Sequence, residues 1–131
     1  MREGISELNA TSIPSETNLL PAKRRVILLG ASNVTLGFPL LVKSLRQSLP
    51  GLDLYAAHGH GRSYCGWSYV LHRGLPSILD CGIWPALSAA PPAEKTWALV
   101  TDLGNDLIYG VAPERLLQQV DQAFSRLRTL G

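Results

Sequence analysis

The sequence predicts a three-layer α/β sandwich built on a small parallel sheet. Three observations predict this fold class. Three apolar segments are typical of β-strands, helical segments follow each of them, and the first strand is an unbroken aliphatic run of the kind covered on both faces. Alternation of strands and helices implies right-handed crossovers, which place helices on both sides of the sheet.

The chain divides into a tail and one domain. Residues 1–22 carry Ser, Thr, Asn, Glu and Pro without a sustained period, so we expect a flexible N-terminal tail. Residues 23–131 are expected to form the domain, and a chain of 131 residues has the length for one hydrophobic core and not for two.

The first half of the domain contains two strands and a helix. The aliphatic run from Val26 to Leu29 predicts the first strand. Leucines at helical spacing predict a helix from Asn33 to Leu49, and we expect an irregular or delayed start because Pro39 suits a first turn. The segment from Leu52 to Ala57 predicts the second strand, and a glycine-rich loop follows from Gly59 to Gly66.

The second half adds one strand and two helices. The segment from Leu75 to about Leu87 predicts a helix, and Thr96 to Val100 predicts the third strand, which runs into a loop from Thr101 to Ala112. The last helix begins at Pro113, a favourable first helical residue. Its apolar residues repeat every three or four positions: Leu116, Val120, Phe124 and Leu127.

Composition excludes several function classes. Twelve Lys and Arg against ten Asp and Glu give a net charge of +2, and the basic residues are dispersed, which excludes a nucleic-acid footprint. No stretch approaches the roughly 20 apolar residues of a membrane span, and no secretory signal begins the chain. We therefore expect a cytoplasmic protein in which Cys65 and Cys81 are free thiols.

Three loops are expected to meet at one crevice. In an open parallel sheet, ligands bind at the carboxyl ends of the strands. The loops that follow the three predicted strands there are 30–33, 58–63 and 102–106. Their side chains are the candidates for chemistry.

The sequence lacks residues that the known phosphate-, dinucleotide- and metal-binding motifs require. Residues 30–37 lack the Lys-Ser/Thr ending of a phosphate-binding P-loop, and Tyr64 stands where a dinucleotide fingerprint in residues 59–64 requires glycine. His58 and His60 lack a third metal ligand at a recognisable spacing. We expect no cofactor and no metal.

Acyl-transfer chemistry remains, because the loops supply a hydroxyl and donors for an oxyanion. Ser32 follows the first strand at the start of a helix, where free backbone N–H groups favour negative charge. Gly61 offers an N–H without side-chain obstruction, and Asn105 offers a side-chain amide.

In this order and spacing the residues resemble the SGNH, or GDSL-type, hydrolase superfamily. The resemblance covers Arg25 to about Tyr109 and makes Ser32 the nucleophile. Gly61 is the better match for the oxyanion glycine, with Gly59 second, and Asn105 matches the asparagine of the Gly-x-Asn-Asp block. The resemblance implies a flavodoxin-like parallel sheet and an esterase or lipase-like serine hydrolase acting on a small ester or acylated substrate.

The sequence departs from the family pattern in four ways. Ala31 stands where Gly-Asp-Ser has its aspartate, and Leu103 stands where the asparagine block has its glycine. No Asp-x-x-His block occurs, so the resemblance implies a catalytic histidine outside this chain. Family members continue through two more strands, so we expect an incomplete, N-terminal portion of the domain, with three strands and a third-strand edge open to self-association.

Two other functions remain open. One is a non-catalytic α/β binding or assembly module, and the other is a flavodoxin-like nucleotide-binding domain. The individual residues also have structural interpretations: Ser32 as a helix cap and Asn105 as part of a turn. Tyr64, Trp67 and Tyr69 are candidates for the floor of an acyl pocket or for core packing.

Overall fold

The computed structural model describes residues 24–130. They form an α/β fold with a three-stranded parallel sheet and helices on both of its faces, as the coarse prediction requires. The predicted tail, residues 1–22, lies outside the described residues.

The elements follow the predicted alternation, with a small hairpin added after the second strand. In chain order they are β1 (Arg24–Leu29), α1 (Ser32–Ser48), β2 (Asp53–Ala57), β3 (Ser68–Val70), β4 (Arg73–Leu75), α2 (Ile83–Ala89), β5 (Lys95–Val100), α3 (Gly104–Ile108) and α4 (Pro113–Arg128). A single 3-10 turn, Ile78–Asp80, lies between β4 and α2.

The central strand of the sheet is β1, in the order β2-β1-β5. Val26 lies opposite Leu54 of β2 and Trp97 of β5, and the pairing continues in register to the ends of the strands. Because side chains alternate along a strand, Val26 and Leu28 project from one face while Ile27 and Leu29 project from the other. All four are buried, as expected of a covered central strand.

Each face of the sheet has its own core. On one face, Val26 and Leu28 pack with α1 and with Leu52, and partly buried α1 residues complete this layer. On the other face, Ile27 and Leu29 pack with residues of α2, α4 and the segment before α2: Tyr64, Ile78, Leu79, Ile83, Leu87, Leu116, Val120 and Ala123. The sheet is thus packed on both faces, and the candidate loops lie at its carboxyl edge.

The start of α1 differs from the prediction. The helix begins at Ser32 and continues through Pro39, so the expected delay is wrong. Pro39 is exposed, and its missing N–H removes one helical hydrogen bond without burying an unpaired group. Buried Val34, on the sheet side, fixes the first turn.

The segment after the glycine-rich loop also differs from the prediction. Only the last part of the helix expected from Leu75 to about Leu87 is present, because α2 begins at Ile83. Leu75 ends strand β4, which forms an antiparallel hairpin with β3, and the 3-10 turn follows. Leu71 and His72 form the two-residue hairpin loop with φ of 53° and 62°. Both residues therefore have left-handed backbone, the geometry of a type I′ turn.

The outer strand β5 is paired on one side only. Among the described strands it is hydrogen-bonded to β1 alone. Trp97 and Leu99 share the face of Val26 and Leu28, yet 40% and 46% of their surface stays exposed. None of the described helices is long and apolar enough to cross a membrane.

Candidate functional site

Ser32 is the first residue of α1 and follows β1 after a two-residue connection. Gly30 is required in that connection, because a Cβ there would overlap the Val34 side chain. The tight turn places the half-buried Ser32 hydroxyl at the carboxyl edge of the sheet. The functional prediction requires this position, although a helix cap would occupy it as well.

The start of α1 is capped by Asp102, which follows β5. One carboxylate oxygen accepts hydrogen bonds from the N–H groups of Ala31 (2.6 Å) and Val34 (3.3 Å). The other oxygen accepts from the Asn33 side-chain amide at 2.7 Å. Partial burial alone would raise the pKa of the Asp102 carboxyl, but these hydrogen bonds outweigh it and hold the pKa below its usual value. Asp102, and not Ser32, is therefore the capping residue.

Gly61 brings the second loop onto Ser32. The Gly61 N–H donates a long hydrogen bond of 3.4 Å to the Ser32 hydroxyl oxygen. On the other side of the same residue, the Tyr109 hydroxyl donates to the Gly61 carbonyl at 2.7 Å. Glycine is required because its φ is +71° and a Cβ would overlap the Val70 side chain.

Asn105 reaches the same loop one residue later. It lies in the first turn of α3, and its amide donates to the Arg62 carbonyl at 3.3 Å. Ser32 and Gly61 are thus in direct contact, whereas Asn105 contacts the residue next to Gly61. Gly59, the second choice for the oxyanion glycine, instead accepts the Arg62 N–H and closes a turn.

Asp106 fixes the shape of this loop, a role that sequence reasoning missed. It is fully buried and accepts hydrogen bonds from the Ser63 hydroxyl and from the backbone N–H groups of Tyr64 and Cys65. Burial, followed by the nearby Asp106 charge, raises the pKa of the Cys65 thiol to about 11. Only the adjacency of Asp106 to Asn105 hinted at its importance.

Tyr64 belongs to the core and not to a pocket. Its ring is fully buried, and its hydroxyl lies 3.0 Å from the Leu29 carbonyl oxygen and 2.7 Å from that of Thr101. Burial raises the pKa of this phenol, so it stays a neutral donor. Tyr64 thereby ties the carboxyl ends of β1 and β5 together beneath the site.

His58 is attached to α1 beside the site. Its Nδ1 lies 2.8 Å from the Thr35 hydroxyl, which itself donates to the Ala31 carbonyl, and its ring stacks on Phe38. Burial, followed by the positive charge of Arg62 and by His60, lowers the pKa of His58, which favours the neutral ring. Residues 24–130 hold no group of three His, Cys, Asp or Glu side chains placed to bind a metal.

Comparison of the chain with protein families, curated proteins and solved structures finds no match. The likeness to SGNH hydrolases therefore rests on loop order and residue type. The site combines a hydroxyl at a helix start, a backbone N–H in contact with it and a side-chain amide of α3 that is hydrogen-bonded to the same loop. This set of groups is suited to attack on a carbonyl and to stabilisation of the resulting oxyanion.

Proposed function

We propose that this chain carries the nucleophile and oxyanion donors of a serine hydrolase that acts on an ester or acyl group. The observation that carries the proposal is the contact between the Gly61 N–H and the Ser32 hydroxyl oxygen at 3.4 Å. A carbonyl attacked by Ser32 would place its developing oxyanion beside the same N–H. The Asn105 amide, which is hydrogen-bonded to the carbonyl of the adjoining residue Arg62, is the second donor.

The start of α1 adds a third donor. The first N–H groups of a helix have no partner within the helix, and the helix dipole favours negative charge there. The Asp102 carboxylate engages the N–H groups of Ala31 and Val34 on either side of Ser32. We propose the Ser32 N–H, which lies between them, as the third oxyanion donor. Removing one donor of such a set typically costs about 3 to 4 kcal/mol of transition-state stabilisation.

The reaction follows the usual acyl-transfer sequence. The Ser32 oxygen bonds to the carbonyl carbon while a base takes its proton, and collapse of the tetrahedral intermediate expels the alcohol, which receives that proton. Water then hydrolyses the acyl-serine by the reverse proton transfers. Within residues 24–130 the Ser32 hydroxyl contacts the Gly61 N–H, which is a donor and not a base. The resemblance to SGNH hydrolases implies that the base is a histidine outside this chain.

Labelling with a fluorophosphonate probe tests the nucleophile. The full-length gene product should be labelled, and Ser32→Ala should abolish labelling. Ser48→Ala is the matched control, because Ser48 is an exposed serine at the far end of the same helix. Equal labelling of the wild type and Ser32→Ala, or no labelling of the wild type, would refute the proposal.

Chemical rescue tests the missing base on the 131-residue chain itself. Added imidazole should accelerate hydrolysis of p-nitrophenyl acetate beyond its effect in buffer, because it can take the Ser32 proton. The protein-dependent acceleration should disappear in Ser32→Ala and persist in Ser48→Ala. Acceleration that survives in Ser32→Ala would assign the activity to another group.

A second candidate function, assembly through β5, has its own observation. The Thr101 N–H donates to the Leu29 carbonyl, so by alternation the Ala98 N–H points away from β1 along the unpaired edge. A second copy presents the same edge and the same half-exposed Trp97 and Leu99, which supports antiparallel β5–β5 pairing. Light scattering should then give a dimer mass that Ala98→Pro halves. A monomeric wild type would overturn this candidate.

A further inference from the structure

A small cavity of about 180 Å³ lies between the start of α1, the glycine-rich loop and the hairpin β3–β4. We call it the histidine cavity, and its lining includes Thr35, His58, His60, Val70 and Arg73. The cavity is smaller than typical small-molecule sites, which have volumes of about 300 to 1,000 Å³. It therefore has room for one small chemical group and not for a whole drug-sized ligand.

The ionisable groups at this cavity are basic. Arg73 of β4 lines it together with the imidazoles of His58 and His60, and its described lining contains no Asp or Glu. Arg62 is attached to the lining, because its guanidinium donates to the carbonyls of His58 at 3.1 Å and Pro76 at 3.0 Å. Arg62 is only 8% exposed, and among the described residues no carboxylate forms an ion pair with it. A buried charge without a counter-charge is costly, so this region favours an anion.

The protonation of His58 reflects these positive surroundings. Burial, followed by the charges of Arg62 and His60, lowers the pKa of His58. The Thr35 hydroxyl donates its one proton to the Ala31 carbonyl at 2.9 Å, so it accepts a hydrogen bond from the Nδ1–H of His58. The other ring nitrogen, Nε2, then carries a proton only when the ring is charged. An anion in the cavity would stabilise that charged ring.

We propose that the histidine cavity binds a small oxyanion, a carboxylate or a phosphate group. The Arg73 guanidinium can pair with either group through two parallel N–H donors, and the His60 ring offers another donor. A cation would meet Arg73 and Arg62 without a carboxylate to hold it, and a neutral apolar group would leave both charges without a partner. The apolar part of the lining, Val70 and Leu75, lowers the local dielectric and so strengthens the attraction for an anion.

The histidine cavity adjoins the candidate nucleophile. Thr35 follows Ser32 by three residues in α1, so the two side chains share a helix face with their Cβ atoms about 5 to 6 Å apart. On the glycine-rich loop, the lining residues Gly59 and His60 directly precede Gly61, whose N–H contacts the Ser32 hydroxyl. Resting on the proposed serine hydrolase function, this placement names the substrate class as esters that carry an anionic group near the reacting carbonyl.

Anion binding tests the site independently of catalysis. Inorganic phosphate and succinate are titrated into the protein at constant pH and ionic strength, with calorimetry and the NMR signals of the His58 ring as readouts. At least one anion should bind and shift the His58 ring towards its protonated form. Arg73→Gln should weaken this binding about tenfold. Arg46→Gln is the matched control, because Arg46 is an exposed arginine near the far end of α1. Arg73 is exposed as well, so neither change should prevent folding.

Two pairs of esters distinguish the sources of the anion, with imidazole added as in the rescue experiment. One pair is 4-nitrophenyl hydrogen adipate and 4-nitrophenyl hexanoate, and the other is 4-acetoxybenzoate and phenyl acetate. Faster protein-dependent hydrolysis of the charged member assigns the anion to the acyl part in the first pair or to the alcohol part in the second, and Arg73→Gln should reduce this preference about tenfold. Phosphate binding without a preference in either pair supports the anion site as one for a free anion and refutes the substrate class.

The outcomes separate the two proposals. Absence of binding by both anions, or equal binding by Arg73→Gln and the wild type, overturns the anion site and leaves Ser32 labelling unaffected. Anion binding by a protein whose Ser32 resists the fluorophosphonate supports the anion site and refutes the esterase.

Discussion

Replacement of Gly61 by alanine should destabilise the protein and disrupt the candidate site together. Gly61 has a φ of +71°, where alanine costs about 1 to 2 kcal/mol relative to a right-handed conformation. The added Cβ also overlaps the Val70 side chain and lies 2.8 Å from the Tyr109 hydroxyl. Overpacking of this kind costs about 1 to 3 kcal/mol, so the total expected loss is about 2 to 5 kcal/mol.

Two glycine controls separate the backbone cost from the packing cost. Gly110 has a φ of +86° and nothing within 4 Å of an added Cβ, so Gly110→Ala should lose about 1 to 2 kcal/mol for its backbone alone. Gly66 has neither a left-handed φ nor a neighbour within 4 Å, so Gly66→Ala should change the free energy of unfolding by about 0.5 kcal/mol or less.

Urea unfolding followed by tryptophan fluorescence measures these costs. In the double variant Gly61→Ala/Val70→Ala, the truncated valine should relieve the overlap, giving a coupling free energy of about 1 kcal/mol or more between the two sites. Fluorophosphonate labelling of Gly61→Ala should also fall, because its N–H shifts away from Ser32. A cost for Gly61→Ala no larger than that of Gly110→Ala, with no coupling to Val70, would refute the reasoning.

Three further predictions concern the carboxylates and the thiol around the site. Asp106→Ala should lower the free energy of unfolding by about 3 to 5 kcal/mol, as measured by urea unfolding. The reason is that the Ser63 hydroxyl and the backbone N–H groups of Tyr64 and Cys65 lose their buried acceptor. A loss below about 1 kcal/mol would contradict this role of Asp106. The pKa of the partly buried Cys65 thiol is raised to about 11 from 9.0, so Cys65 should react with iodoacetamide at pH 8 about 100-fold more slowly than an unperturbed cysteine, as measured by mass spectrometry. An equal rate would contradict the raised pKa. Because the pKa of Asp102 is lowered in the folded state, its ionised carboxylate stabilises the fold above the unfolded-state pKa, and this stabilisation is lost as the pH falls through the folded-state pKa. The difference in free energy of unfolding between the wild type and Asp102→Asn should therefore be constant near neutrality and shrink below about pH 4. A difference that is unchanged at pH 2 would show that ionisation of Asp102 does not contribute to stability.

The sheet and the long helices could be predicted because their signals are local. The aliphatic run of β1 and the helical spacing in α1 and α4 each lie within one element, and the structure confirms an α/β fold with these elements. Pro39 misled the prediction because its cost depends on burial. On the exposed side of α1 the lost hydrogen bond is tolerated.

The hairpin β3–β4 could not be predicted because its turn lacks the usual residues. Leu71 and His72 occupy left-handed positions that Asn and Gly normally fill, so no local pattern marks the turn. The position of the hairpin is determined by its packing against the glycine-rich loop. An added Cβ at Gly59 would come within 2.5 Å of Leu75, and one at Gly61 would overlap Val70, so the glycines of the loop and the hairpin fit each other.

The candidate site was predicted only in part, because some of its residues are positioned by contacts between distant parts of the chain. Loop order along a parallel sheet placed Ser32, Gly61 and Asn105 at one edge, and topology alone fixes that edge. The roles of Asp102 and Asp106 depend on contacts between distant parts of the chain, such as the bond from Ala31 to Asp102 across 71 positions. Side-chain caps of this kind leave no periodic or spaced signal in a single sequence.

Peptide mapping of the probe-modified full-length protein tests the assignment of the nucleophile most directly. Trypsin should release residues 26–43, in which Ser32 is the only serine. The account predicts that mass spectrometry finds the phosphonyl adduct on that peptide and fragments it to Ser32. An adduct on Ser63, Ser68 or any other residue, with residues 26–43 unmodified, would contradict it.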